Sequence, residues 1–425
     1  MVWRITWRSG HQQLEGPMAE RQGRPSRTRR PPDPSRDADK RTPRTMHNGI
    51  LRVAWDNSLA RRNQTGTGVY ATRLIRELGA KPDLTLQVFE GWDVSRRKPG
   101  EYGSQGILAR GVRAISGLTW SHGYLPHLLH KGKFDLFHSP AFVVPLGCPC
   151  PSIATIFDIS FLFFPEHFER RWQTYLNFVM PKVLRKVSAV ICISENAKQE
   201  LLKHFKVPPD KVHVVYCGVD HAQFHPDTPL DQKWAQSVGL HKNYVLHVGT
   251  LSQRKNIPML LRAVASLKSK GKFENHQLVL AGPVLSVLAG GPEIHESIRG
   301  LGLSNVVVLT GFIPDTVLPG LYAQAKLLAM PSIYEGFGLP VLESMASGVP
   351  VISSNVSSLP EIAGDAAILV PPQDESAWAE AIQDVIEGPS VFAELRRKGL
   401  VRAQQFSWQR AGEETLAVYR AVAGS

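Results

Sequence analysis

The chain has 425 residues, 43% of them hydrophobic and 20% charged, with a formal net charge of +12. That length supplies two cores of ordinary size, and the composition is that of a globular enzyme. No apolar run approaches the ~18 residues needed to cross a bilayer, and the longest candidate, Ile153–Phe164, carries Asp158.

In chain order, residues 1–45 come first, rich in Arg and Pro and holding about half of the excess charge. They show almost no apolar periodicity and read as a disordered basic extension, with Met46 opening the folded protein. A nucleic-acid-binding or membrane-touching arm is the competing reading. Short apolar, β-branched runs then alternate with amphipathic stretches, as in parallel sheets with crossover helices. The first series of strands is Ile50–Trp55, Phe134–His138, Ser152–Phe157, Ala189–Ile193 and Val212–Val215. Asn63–Gly68 is a polar glycine loop opening a helix over Val69–Leu78, and Ser194 is placed to cap a helix reaching Phe205. The pattern pauses near Cys217–Asp220. A second series follows: Tyr244–Val248, Gln277–Ala281, Val306–Leu309, Leu327–Met330, Val351–Ser353 and Ala367–Val370. Its clearest helices are Pro258–Ser269 and Leu339–Ser347, and everything after Glu375 reads as helical. The expected division is 46–217, 218–405 and a last helix, 406–425.

Four cysteines occur, Cys148, Cys150, Cys192 and Cys217. Cys148-Pro149-Cys150 lacks the two-residue spacer and second ligand pair of a zinc site, so no metal is expected. Few cysteines and no apolar segment after the basic start point to the cytoplasm. The basic, aromatic stretch Phe168–Val190, with Arg170, Arg171, Trp172, Tyr175, Phe178, Lys182, Arg185 and Lys186, fits either a domain helix broken or kinked near Pro181 or a surface lying on an anionic membrane.

Three motifs carry chemistry. In Glu335-Gly336-Phe337-Gly338-Leu339-Pro340-Val341-Leu342-Glu343, glycines allow close backbone approach to a ligand. Pro340 suits a first helical turn, whose amides favour a phosphate. Glu343 falls on roughly the same side as the loop, and carboxylates accept hydrogen bonds from sugar hydroxyls. A structural loop with a surface glutamate is the plain alternative. Gly249-Thr250-Leu251-Ser252-Gln253-Arg254-Lys255-Asn256 follows a strand directly, at the ligand side of an open α/β sheet. Its adjacent cations suit a diphosphate; a solvated basic turn is the alternative. Thr65-Gly66-Thr67-Gly68-Val69-Tyr70 lacks the third glycine of a dinucleotide fingerprint and the Lys of a P-loop, and a plain turn explains it equally well.

Together, and in their order along the chain, the motifs resemble those of the retaining glycosyltransferases of family 4, above all bacterial α-mannosyltransferases of polysaccharide and lipopolysaccharide assembly. Val215–Asp220 resembles that family's interdomain turn, with Cys217 where Asn is usual; Leu359-Pro360-Glu361 and Phe406-Ser407-Trp408 also fit. The resemblance implies a GT-B fold, two Rossmann-like parallel-sheet domains facing a cleft, with the last helix crossing back to the first domain. It implies that Glu335 contacts the donor sugar and Glu343 the ribose. Arg254 and Lys255 would hold the leaving diphosphate, and Gly336, Phe337, Gly338 and Leu339 would offer backbone amides. Gly66, Thr67 and Gly68 would close over the donor, Gly249 would line the diphosphate turn, and Ile313 of Gly311-Phe312-Ile313 would pack the base. Relatives often carry His where this chain has Phe157, which cannot relay a proton. His138 is then the remaining histidine candidate of the first domain, against a purely structural role, and Asp158 is a cleft candidate against a turn-forming one.

The expected reaction moves a hexosyl group, with GDP-mannose as the nominated donor, to a hydroxyl of a growing glycan or glycolipid. It would retain configuration and need neither metal nor cofactor. Arg254, Lys255 and the helix start would stabilise charge on the leaving diphosphate. A sugar-nucleotide epimerase on the same fold is the rival enzyme reading. A basic nucleic-acid-binding protein is the rival of another class, weakened by the absence of a recognised nucleic-acid module.

Overall fold

The computed structural model describes residues 49–59, 66–91, 117, 119–168, 170–241, 243–284 and 291–424. The basic extension 1–45 and Thr65 of the glycine loop lie outside them.

Twelve strands are seen among these residues, in two six-stranded, fully parallel sheets. The first comprises β1 (Leu51–Asp56), β2 (Leu84–Phe89), β3 (Leu136–Ser139), β4 (Ser152–Ile156), β5 (Ala189–Cys192) and β6 (Val212–Val214), in the order β2-β1-β3-β4-β5-β6. Three of its four inner strands, β3, β4 and β5, are buried along their whole length. This is why they read as largely apolar runs, broken only by buried polar residues such as His138 and Thr155, rather than as alternating ones. The second comprises β7 (Asn243–Val248), β8 (His276–Ala281), β9 (Val307–Gly311), β10 (Leu327–Met330), β11 (Val351–Ser354) and β12 (Ala367–Val370), in the order β12-β11-β10-β7-β8-β9. That is the doubly wound order of a dinucleotide-binding sheet, with its reversal between β7 and β10. The first sheet reverses between β1 and β3.

Three elements depart from the sequence reading. The sequence pattern predicts no strand where β2 lies. This is an edge strand with only Leu84 buried, so no continuous apolar run marks it. The glycines Gly66 and Gly68 are not loop residues but the first turn of α1 (Gly66–Gly79). The basic stretch forms one helix over Arg170–Lys186 that runs through Pro181, so of the break and the kink expected there the break does not occur.

The remaining helices that matter for the site are Glu195–His204, Ile257–Ser269, Leu339–Ala346, Leu359–Ala363 and Trp408–Ala423; with α1 and Arg170–Lys186 (α2) they are α3, α4, α5, α6 and α7. Ser194 Oγ caps α3 by accepting from Ala197 N at 3.1 Å, and Ser407 Oγ caps α7 by accepting from Arg410 N at 3.1 Å. These are the side-chain oxygens that an N-terminus requires. After its cap, α7 leaves the second sheet and packs on α1 of the first half. Gly412 permits the approach, since a Cβ there would lie 2.8 Å from Glu77 Cβ. Tyr419 of α7 reaches His138 at 2.6 Å, and Lys81 pairs with Glu413 at 3.5 Å. The chain crosses between halves at Gly218, where a Cβ would meet Trp408 N at 2.1 Å.

Candidate active site

Parallel strands place their carboxyl ends, and the loops that follow them, on one edge of the sheet. In the second sheet β7 and β10 sit side by side at the reversal, so the loops after them diverge and leave a crevice. The loop after β7 carries Gly249 and the turn Gln253–Lys255; the loop after β10 carries Glu335–Gly338 and opens α5. The two strongest motifs therefore arise from the two strands that flank the crevice.

Their geometry follows from local constraints. Asn256 takes a left-handed conformation, φ 55°, and its Nδ2 donates to Pro331 O at 3.2 Å and to Pro372 O at 2.6 Å. This stitches the basic turn to the β10 loop. Gly338, φ 115°, turns the chain into α5 at a conformation few side chains adopt, and Pro340 follows in the first turn. The loop is held from beneath by Ser358, whose hydroxyl bonds Glu335 O at 2.9 Å and Phe337 O at 2.8 Å. Ser357 Oγ accepts from Glu335 N at 2.9 Å.

Glu335 is buried, 7% exposed, and binds both cations of the turn. Lys255 Nζ donates to one carboxylate oxygen at 2.5 Å and Arg254 to the other at 3.0 Å. Burial pushes this carboxyl up, but the charges of Arg254 and then Lys255 outweigh it and hold the group at about 2. Burial pulls Lys255 below the usual ammonium value, opposed by Glu335. For Arg254, burial acts downward and is overcome by Glu335 and then Asp158, so its value rises. Glu343 stands apart from this cluster. Tyr322 donates to it at 2.8 Å, and burial pushes its carboxyl up to about 7. It lines a notch with Val69, Arg73, Asp220, Leu339 and Trp408.

The carboxyl edge of the first sheet faces this edge. Gly336 lies so close to the loop after β4 that a Cβ would come 2.7 Å from Phe157 O and 3.1 Å from Asp158 Oδ2. Ser194 donates to Gly336 O at 2.9 Å, and Glu361 accepts from Glu195 N at 2.6 Å and Asn196 N at 3.1 Å. Gly66, at the start of α1, approaches Leu339, whose Cδ1 would lie 3.7 Å from an added Cβ. The structure thus brings together Arg254, Lys255, Glu335, Asp158, Gly336 and Leu339, with Gly66 and the α1 start beside them. Gly249 underlies Lys255, whose Nζ would be 3.2 Å from a Cβ there. Phe337 turns inward onto Phe406 and Tyr216, and Ile313 is buried after β9.

His138 does not join them. It is wholly buried, with one ring nitrogen on Tyr419 at 2.6 Å and the other on Thr155 at 2.8 Å. Burial pushes it down to about 3, so it stays neutral, and both nitrogens are occupied inside the protein. Asp158 accepts from Ser160 N at 2.8 Å and from Ser160 Oγ at 2.5 Å, so its turn-forming bonds and its place in the cleft coexist. Sequence reasoning missed Tyr322, Ser357, Ser358 and the cross-cleft bonds of Glu361. Tyr322 has no positional signal, being on a separate helix from Glu343.

The family description "Glycosyltransferase Family 4" matches residues 64–223, and "Glycosyl transferases group 1" matches residues 231–402. O-antigen chain mannosyltransferase B of Escherichia coli is 29% identical over 379 residues, covering 84% of this chain and 96% of that protein. D-inositol 3-phosphate glycosyltransferase of Saccharomonospora viridis is 30% identical over 390 residues, covering 84% and 89%. The structure of Anabaena HepE in complex with UDP and glucose matches with a TM-score of 0.67 at 19% identity, covering 87% of this chain and 100% of that one. Among the described residues no helix is long and apolar enough to cross a membrane.

Proposed function

The chain belongs to glycosyltransferase family 4 and has the two-sheet GT-B fold, and from that premise we propose that this glycosyltransferase moves a mannosyl group from GDP-mannose to a hydroxyl of a glycan or lipid-linked acceptor, retaining configuration. One observation carries the reading. Two cations, a carboxylate and a helix start converge at the reversal point of the second sheet, facing the edge of the first. The name of the Escherichia coli relative supports mannose, and the nucleotide in the Anabaena complex supports a nucleoside-diphosphate donor.

In this mechanism Arg254 and Lys255 take the diphosphate, whose charge grows as the glycosidic bond breaks, and the first amides of α5 add their dipoles. Glu335, now bound by both cations, releases them to the phosphates and accepts hydrogen bonds from sugar hydroxyls. Glu343 holds the ribose. The acceptor oxygen bonds to the anomeric carbon on the face from which the diphosphate leaves, and a departing phosphate oxygen takes the acceptor proton. Asp158 faces the sugar from the other half, while His138 braces α7 against β3 and β4. We place the enzyme in the cytoplasm, touching anionic membrane through α2, where Phe178 is 64% exposed and Lys182 lies 3.3 Å from its ring centroid.

A thermal-shift panel of UDP-, GDP-, ADP- and dTDP-sugars tests the donor. A ligand at 100 times its dissociation constant adds about 2.7 kcal/mol, and GDP-mannose is expected to give the largest shift. A larger shift from another sugar nucleotide would replace the donor assignment, and no shift from any would overturn the donor site.

A further inference from the structure

The Cys148-Pro149-Cys150 segment is left unused by the transfer reaction. It lies in the loop between β3 and β4, at the amino end of β4 and so at the edge of the sheet opposite the cleft. Both side chains are half-buried, and their sulfurs are 3.9 Å apart. Contacts within the loop hold them close. Cys148 N donates to Pro145 O at 3.1 Å, closing a turn, and Cys148 Sγ donates to Cys150 O at 3.4 Å, which bends its side chain back across Pro149. Pro149 fixes its own φ and so limits how far the two can spread. The loop is anchored to the basic helix by Lys186 Nζ, which donates to Leu146 O at 2.7 Å.

We propose that Cys148 and Cys150 are a reversible dithiol–disulfide modification site for hydrogen peroxide. Cys148 is the attacking sulfur. Its sulfur contact with Cys150 holds its value below the usual one, against burial, which raises the thiolate fraction available for attack. The thiolate sulfur bonds to one peroxide oxygen as the O–O bond breaks, giving a sulfenic acid; the departing hydroxide takes a proton and leaves as water. Cys150 sulfur then attacks the sulfenic sulfur. The S–S bond forms, the S–O bond breaks, and the hydroxyl leaves as a second water with the Cys150 proton. Two thiols and one peroxide thus yield one disulfide and two waters. Closing the sulfurs to a bond of about 2 Å requires their side chains to rotate toward each other over a short gap. The other two cysteines provide an internal reference. Cys192 and Cys217 are buried, burial pushes the first up to about 12 and the second well above its usual value, and neither is exposed to an oxidant.

The test uses the full chain, treated with hydrogen peroxide while folded, then denatured, alkylated and weighed. Alkylation is expected to fall from four thiols to two, with the peptide carrying Cys148 and Cys150 lighter by two hydrogens and dithiothreitol restoring all four. Cys148→Ser and Cys150→Ser should each abolish the two-thiol loss. Folding of each variant is read from Cys192 and Cys217, which should stay unreactive toward a maleimide before denaturation. Retention of all four thiols, consumption of Cys192 or Cys217 in the folded protein, a cross-linked dimer, or sulfinic acid on Cys148 with Cys150 intact would each overturn the proposal.

Discussion

Replacing Glu335 with Gln removes one negative charge from between two cations and leaves the shape of the side chain almost unchanged. Lys255 and Arg254, 8% and 27% exposed at their side chains, then lose the carboxylate they share, and only Arg254 keeps the influence of a second one, Asp158. The Glu335 carboxyl is held at about 2 against 4.5. At 1.36 kcal/mol per unit this corresponds to about 3 kcal/mol of stability at neutral pH. Removal of one partner from a buried ion pair costs about 3–5 kcal/mol by an independent route. Because the folded-state value is depressed, this stability is present above about 4.5 and lost as pH falls toward about 2. Glu335→Gln should therefore lower the thermal midpoint at pH 7.5 by about 6–12 °C, at roughly 2–4 °C per kcal/mol, and the difference from wild type should shrink in acid. A nucleoside diphosphate supplies the missing anion, so its saturating presence should stabilise the variant more than the wild type while transfer remains impaired. Scanning both proteins with and without the nucleotide measures this. A variant as stable as wild type, or one that no longer binds the diphosphate, would refute the reasoning that Glu335 holds the two cations in the empty site.

Arg254→Ala should act on turnover, because its partner gains charge in the transition state. A loss of about 2.7–4 kcal/mol, roughly 100–1000-fold in kcat, is expected by analogy with removal of one oxyanion donor, and steady-state kinetics with varied donor would show it. Glu343→Gln should raise the donor KM roughly 10–150-fold, the worth of a charged hydrogen bond, with little change in kcat. Since burial raises the Glu343 carboxyl from 4.5 to about 7, its protonated form stabilises the fold. That contribution is full below about 4.5 and lost as pH rises through about 7, so the variant should flatten the stability profile in that window. Joint neutralisation of Arg170, Arg171, Lys182, Arg185 and Lys186 should abolish salt-sensitive cosedimentation with anionic vesicles, and unchanged binding would remove α2 from the membrane.

What could be read from the sequence was whatever burial writes into it. The inner strands β3, β4, β5, β10 and β11 are largely apolar because both faces are covered, and their runs match the structure to within a residue or two. By contrast β2 lies at an edge and shows only a weak alternation from Leu84 to Phe89. The glycines at Gly66 and Gly68 suggested a loop, yet a helix can begin on them, since the first turn needs fewer internal bonds. Arg254, Lys255 and Glu335 were visible as motifs, but their mutual ion pairs were not. Contacts such as Tyr322 to Glu343 and Glu361 to the start of α3 join residues 21 and 166 positions apart, and only the fold defines them. His138 shows the reverse error: a histidine at a strand end looked available, and packing against Tyr419 and Thr155 consumed both of its nitrogens.

The central claim is that the turn at Arg254–Lys255 receives a diphosphate. Calorimetric titration of guanosine against GDP, in wild type and in Arg254→Ala, tests it most directly. The account predicts that GDP binds wild type at least about tenfold more tightly than guanosine, and that this margin collapses in the variant, since charge-assisted hydrogen bonds to phosphate contribute about 1.5–3 kcal/mol each. An equal margin in both proteins would place the phosphates elsewhere and contradict it.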